Sequence, residues 1–195
     1  MVQKEEMRKN LLEDIDGYFM QLNYLKDLIN VENDIVRNKE KLQCASTFTL
    51  LVECALSDSY MLVLMRLYDK SEKAKTIPNL IEKCKKNLSL FPSCEDTSLK
   101  LKEFETKIKE DEFISHAIKT IRERRDSIYV HNDNKYFGNK LQNDETYLKH
   151  YHICILTKFT EEVLEYLFSQ LSSEKPRETK YDNDLINIIT HQLSE

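Results

Sequence analysis

Six apolar residues near the start of the chain, Leu11, Ile15, Tyr18, Leu22, Leu25 and Ile29, recur in alternating steps of four and three. Only an α-helix puts such positions on one side, and a helix that keeps them aligned for about five turns must bury that side against other helices. The spacing predicts a first helix from about Lys4 to Val31, with a bundle seam along it. Gly17 falls on its other face and costs about 1 kcal/mol relative to alanine. Composition extends the constraint to the whole chain. Two glycines and three prolines among 195 residues are too few for the tight turns of an all-β fold, and 32% charged residues suit long helices with short connections. The length is sufficient for one domain with its own core.

A second helix is expected from about Asn38 to Asp69. Its middle is apolar on most sides, so it should be surrounded by the others. The window Phe48 to Tyr68 is long enough to cross a bilayer, but Glu53, Asp58 and Arg66 interrupt it. Each is expensive in a membrane, which makes this the central helix of a soluble bundle. Thr76-Ile77-Pro78 opens a third helix, with proline in its first turn, and this helix ends near Phe91-Pro92. Asp96-Thr97-Ser98 begins a fourth, which carries Leu101, Phe104, Ile108, Ile114, Ile118 and Ile121 on one face. Polar text from His131 to Asn143 reads as a loop. Asn143 or Asp144 caps a fifth helix, about Glu145 to Leu171, with Leu148, His152, Ile155, Phe159, Val163, Tyr166 and Leu167 inward. The expectation is an all-α, antiparallel bundle of about five main helices. Residues 1–171 form one domain, and 172–195 hold a linker and a short helix from about Asn183 to Leu193.

The net charge of −5 excludes a generally basic nucleic-acid binder. Five cysteines, with no CxxC pair, read as reduced core thiols of a cytoplasmic protein. The first residues have no apolar run that would make a signal peptide. No Gly-rich phosphate loop and no Cys/His cluster with metal spacing occurs, so neither a nucleotide cofactor nor a metal is expected. His150 and His152 are two apart, which on a helix places them on different faces.

One stretch concentrates the chemistry: Arg124-Arg125-Asp126-Ser127-Ile128-Tyr129-Val130-His131-Asn132-Asp133. Ile114, Ile118, Ile121, Arg125 and Ile128 follow helical steps, so Arg125 points toward the packed side and needs a partner or a ligand. From Lys119 to Lys140, six basic residues (Lys119, Arg122, Arg124, Arg125, Lys135, Lys140) face three acids (Glu123, Asp126, Asp133), a local excess that could steer an anion. Arginine holds a phosphate with a planar fork, and histidine moves a proton near neutral pH. Together they suit phosphodiester cleavage without a metal. On one continuous helix Arg125 and His131 point about 120° apart, so either the helix breaks or a second subunit completes the site. The competing reading pairs Arg125 with Asp58 or Glu53 and leaves His131 to bond the last helix carbonyls.

These residues resemble a family. Arg125-Asp126, four residues, then His131 is similar to the R-polar-x(4–6)-H motif of HEPN domains, and Val-His-Asn-Asp-Asn-Lys resembles the Ala-His-Ser-Asp-Lys text of their abortive-infection, AbiU-like branch. Ala55-Leu56-Ser57-Asp58 followed by Leu64-Met65-Arg66-Leu67-Tyr68-Asp69 resembles that branch's "AL-D…LARLFD" helix. The resemblance implies a dimeric all-α bundle, two R…H motifs facing across the interface, and metal-independent endoribonuclease activity in phage defence or as a toxin. By position it implies Arg125 on the scissile phosphate, Asp126 orienting the site and His131 in proton transfer. Arg122, Arg124, Asn132 and Lys135 are candidates for holding the RNA. An antitoxin or another defence protein is a possible partner. Where the branch controlled by nucleotidyltransferase antitoxins carries a tyrosine, this chain has Asp133, so control through that tyrosine is not implied. The alternative from another class is a non-catalytic HEPN-like module that binds RNA or a protein.

Overall fold

Thirty-six residues, Val2–Arg37, form α1, so the first seam extends beyond both expected ends. The computed structural model describes residues 2–126, 149–174 and 176. Among them there are six α-helices and no strand: α1, α2 (Ser46–Tyr68), α3 (Ile77–Lys86), α4 (Cys94–Glu110), α5 (Glu112–Arg124) and α6 (His150–Leu171). Short 3₁₀ segments, Lys41–Ala45 and Leu88–Leu90, fill two of the connections. The expected last helix, Asn183–Leu193, and the loop from His131 to Asn143 lie outside the described residues.

The α1 seam is buried as its spacing requires: Leu11, Ile15, Leu22 and Leu25 are at most 1% exposed. Helix α6 runs antiparallel along it. At one end the Arg8 guanidinium donates to the Leu171 carbonyl, at 3.1 Å from Nε and 2.6 Å from Nη2. This caps the C-terminus of α6 with a cation, where the helix dipole favours one. Lys26 pairs with Glu161 in the middle, and Glu32 meets His150 at the other end. Helix α2 is also antiparallel to α1, with the Tyr60 hydroxyl donating to the Leu28 carbonyl at 3.0 Å. Helix α4 packs across α6 through Phe104, whose ring meets Phe159 edge-on at 6.1 Å and Tyr166 at 5.8 Å. Such pairs add about 0.5–1.5 kcal/mol beyond their buried area.

Gly17 lies mid-helix, and a Cβ built there meets no atom within 4 Å. Nothing in the packing demands glycine. Gly17→Ala is therefore expected to stabilise the protein by about 0.5–1 kcal/mol, by narrowing the unfolded ensemble and favouring helix. Urea denaturation would show a higher midpoint at unchanged slope; a lower midpoint would contradict the open space beside Gly17.

Three expectations need correction. The fourth helix is two. Asp111 takes an extended backbone (φ −68°, ψ 120°), and its side chain accepts from the Phe113 and Ile114 amides at 3.0 and 2.9 Å. A carboxylate that satisfies the first amides of a new helix ends the old one. Second, α2 is not surrounded. Its C-terminal part is core, with Met61, Leu64 and Tyr68 fully buried, yet Phe48, Leu50 and Leu51 near its start are more than half exposed. Among the described residues it is the one helix long and apolar enough to cross a membrane. Glu53 and Asp58 occupy exposed positions on it. Third, the cysteines are not uniformly core thiols. Cys84 is buried, Cys54 and Cys94 are exposed, and Cys154 is intermediate.

Candidate functional site

The site is built where α5 ends against the end of α2. Ile114, Ile118 and Ile121 are buried along α5, as their spacing requires. Beyond them Arg125 and Asp126 lie in a wider π turn. There Arg124 takes the most buried position, at 7% exposure, while the Arg125 side chain stays 24% exposed. The arginine expected to point inward is thus half-buried at the rim, and its neighbour is the one inside.

Arg122 of α5 and Arg125 just beyond it clamp the end of α2. The Arg122 Nε donates to the carbonyl of Tyr68, the last residue of α2, at 2.9 Å. Burial holds the Arg122 guanidinium below its ordinary pKa; Asp69 raises it and Arg125 lowers it further. Arg125 pairs with Asp69, the residue that follows α2. It also meets Asp126, at 2.7 Å from Nε and 2.6 Å from Nη2 to the same Oδ1. The expected partners Asp58 and Glu53 are therefore replaced by Asp69 and Asp126. Tyr68 itself is fixed by its own hydroxyl, which lies 2.7 Å from Thr160 Oγ1 and 3.3 Å from the Leu156 carbonyl on α6. Burial raises that phenol above its ordinary pKa, so it stays protonated.

The two carboxylates determine what Arg125 can do. The hydrogen bond to Asp126 is the largest influence raising its pKa; burial opposes it, and Asp69 adds to the rise. Burial pushes the Asp69 carboxyl up, but the Lys70 and Ser71 amides and the Arg125 guanidinium hold it below the usual carboxylate range. A guanidinium has five N–H donors. Among the described residues, Nε and Nη2 are directed at Asp126 and Nη1 at Asp69, which accounts for three of the five donors. Two parallel donors are what a phosphate takes from arginine.

The remaining candidates divide. His131, Asn132 and Lys135 lie outside the described residues. Arg122 is committed to the α2 carbonyl, and Arg124 is buried. Asp69 was missed as a site residue, although it closes the Leu64–Asp69 text. His152 is 2% exposed, as its place on the inward face of α6 implied, and its ring lies 5.3 Å from that of His116 on α5. His150 faces outward to Glu32, so the two histidines do diverge. Among the described residues no group of three or more His, Cys, Asp or Glu side chains is arranged to hold a metal ion.

Comparison with known protein families matches residues 5–188 to HEPN_AbiU2, described as AbiU2. No curated protein and no solved structure matches the chain. The family match spans both stretches that meet at Arg125 and Asp69, together with all six helices around them. The chain belongs to the AbiU2 family of HEPN domains, a class of RNA-binding and nuclease modules.

Proposed function

We propose that this protein is a cytoplasmic, metal-independent endoribonuclease of a phage-defence or toxin system, acting as a homodimer. Arg125 binds the scissile phosphate and stabilises the charge that grows on it. His131 serves the proton transfer as the ribose 2′-hydroxyl attacks, and Asp126 orients the arginine. The partner subunit supplies the facing copy of the same motif. The observation that carries this reading is the contact of Arg125 with Asp69, which joins the chain's two family-like stretches at one point.

A second reading has its own support. Arg125 already has two carboxylate partners within its own chain, which suits a non-catalytic HEPN module that binds RNA or a defence-system protein through the same face. Purified protein incubated with mixed cellular RNA in EDTA, beside an Arg125→Ala/His131→Ala double variant, separates the two. Cleavage by the wild type alone, leaving 2′,3′-cyclic phosphate ends, is the result expected of the nuclease. Equal cleavage by both proteins would point to a contaminating nuclease and remove the case for this site, whereas RNA binding by a dimeric wild type without cleavage would favour the binding module.

A further inference from the structure

A second polar constellation lies at the start of α6, on residues the nuclease reading does not use. Glu32 of α1, Tyr60 of α2, and His150 and Cys154 of α6 form one line of hydrogen bonds. The Tyr60 hydroxyl shares its one proton between Glu32 Oε2 at 2.8 Å and the Leu28 carbonyl at 3.0 Å, and the same Glu32 oxygen lies 3.0 Å from His150 Nδ1. On the other side of the ring, His150 Nε2 lies 3.3 Å from Cys154 Sγ.

The order of these groups fixes their roles. Tyr60 is 2% exposed, and burial, then its bond to Glu32, raises the phenol above its ordinary pKa, so it remains a donor. Glu32 then accepts from both sides, which places the histidine proton on Nδ1. The Nε2 lone pair is left facing the thiol, and the Cys154 S–H donates to it. The imidazole stands between carboxylate and sulfur, so the three cannot converge on one ion. The arrangement is that of a thiol, its base and the group that orients the base.

The thiol itself is not acidic. Burial raises its pKa above the ordinary value, Lys158 of α6 opposes this, and Glu32 adds to it. A thiol held protonated reacts only as fast as its proton is removed. Cys154 is also less exposed than Cys54 and Cys94. Exposure alone would make those two react first.

We propose that Cys154 is a site of oxidation by small hydroperoxides, with His150 as its base and Glu32 as the positioning residue. His150 Nε2 takes the thiol proton as sulfur attacks one peroxide oxygen. The S–O bond forms and the O–O bond breaks. The leaving oxygen takes the proton back from His150 and departs as water, or as an alcohol from an alkyl hydroperoxide. Sulfur is oxidised by two electrons to a sulfenic acid, and the peroxide is reduced by the same two.

The test exposes the folded full-length protein to hydrogen peroxide with dimedone as sulfenic-acid trap. The rate at each cysteine is read by peptide mass spectrometry. Cys154 is expected to be trapped about tenfold faster than Cys54 or Cys94, with the buried Cys84, whose thiol burial pushes up to about 12, slowest. His150→Gln keeps a hydrogen-bonding side chain but no base, and should remove that lead. Glu32→Gln, which keeps the shape of the line, should reduce it and change the pH dependence of the Cys154 rate while leaving Cys94 unaltered. Trapping at Cys54 or Cys94 ahead of Cys154, or an unchanged Cys154 rate in either variant with a native circular-dichroism spectrum, would overturn the proposal. Neither result depends on whether the protein cleaves RNA.

Discussion

Acidifying the protein from pH 7 to pH 4 is expected to remove about 3 kcal/mol of stability through His152 alone. The ring is 2% exposed and accepts at Nδ1 from the Lys149 amide at 3.2 Å. Its Nε2 meets no hydrogen-bond partner among the described residues. Charging a ring so enclosed is costly. Burial first, then His116 of α5 and Lys149, lower its pKa from 6.5 to about 4. The sign follows from the neutral form being the native one. Unfolded histidine takes up its proton near pH 6.5, whereas the folded ring resists until about pH 4. The stability this provides is complete above pH 6.5 and is lost as pH falls toward 4. Most of it is gone by pH 4.5, above the range in which ordinary carboxylates titrate fully. His152→Asn is the informative variant, because its amide oxygen can replace Nδ1 as acceptor for Lys149 but never charges. Urea unfolding at pH 7 and 4.5 should show the wild type losing about 2 kcal/mol more than the variant. Parallel losses in the two proteins would mean that the His152 ring is charged in the folded state or solvated there.

The helices were legible where one period continued without interruption. The steps of four and three through α1 and α6 place Leu11, Ile15, Val163 and Leu167 inside, and they are inside. The fourth helix divides in two because one step breaks the period. Ile108 to Ile114 is a step of six, which no single helical face allows, and Asp111 between them has the side chain that starts a new helix. The second helix departs from expectation for a different reason. Apolar residues on every side of α2 imply burial only if neighbours exist to cover them, and periodicity does not count neighbours. The site was half legible. Arg125 stood out as a charge in an apolar register, and two stretches resembled one family. That these stretches touch through Asp69 is a long-range contact between residues 56 apart. The choice of Asp69 over Asp58 also depends on where α2 stops. Asp58 lies three turns earlier, on an exposed position of α2.

The geometry of Arg125 leads to the largest functional effect. On the nuclease reading, Arg125→Ala is expected to lower RNA cleavage by about 100-fold or more, the usual cost of removing a donor aimed at developing oxyanion charge. Arg125→Lys should restore little of it. A lysine keeps the charge but cannot hold Asp69 and Asp126 while presenting two parallel donors to a phosphate. Asp69 acts through Arg125 and belongs among the positioning residues. Asp69→Asn keeps the size and the bonds from the Lys70 and Ser71 amides but weakens the grip on the guanidinium. It should lower kcat by about tenfold with KM nearly unchanged, since the phosphate still binds but in a poorer orientation. Stability should fall by less than about 1 kcal/mol, because the pair is partly exposed and water takes over its solvation. Asp69→Glu, which can still reach the arginine, should recover part of kcat. A loss expressed wholly in KM would assign Asp69 to substrate binding, and full activity in Asp69→Asn would show that α2 supports the fold without aiming the arginine. These outcomes separate a clamp that orients Arg125 for chemistry from one that merely ties α5 to the end of α2.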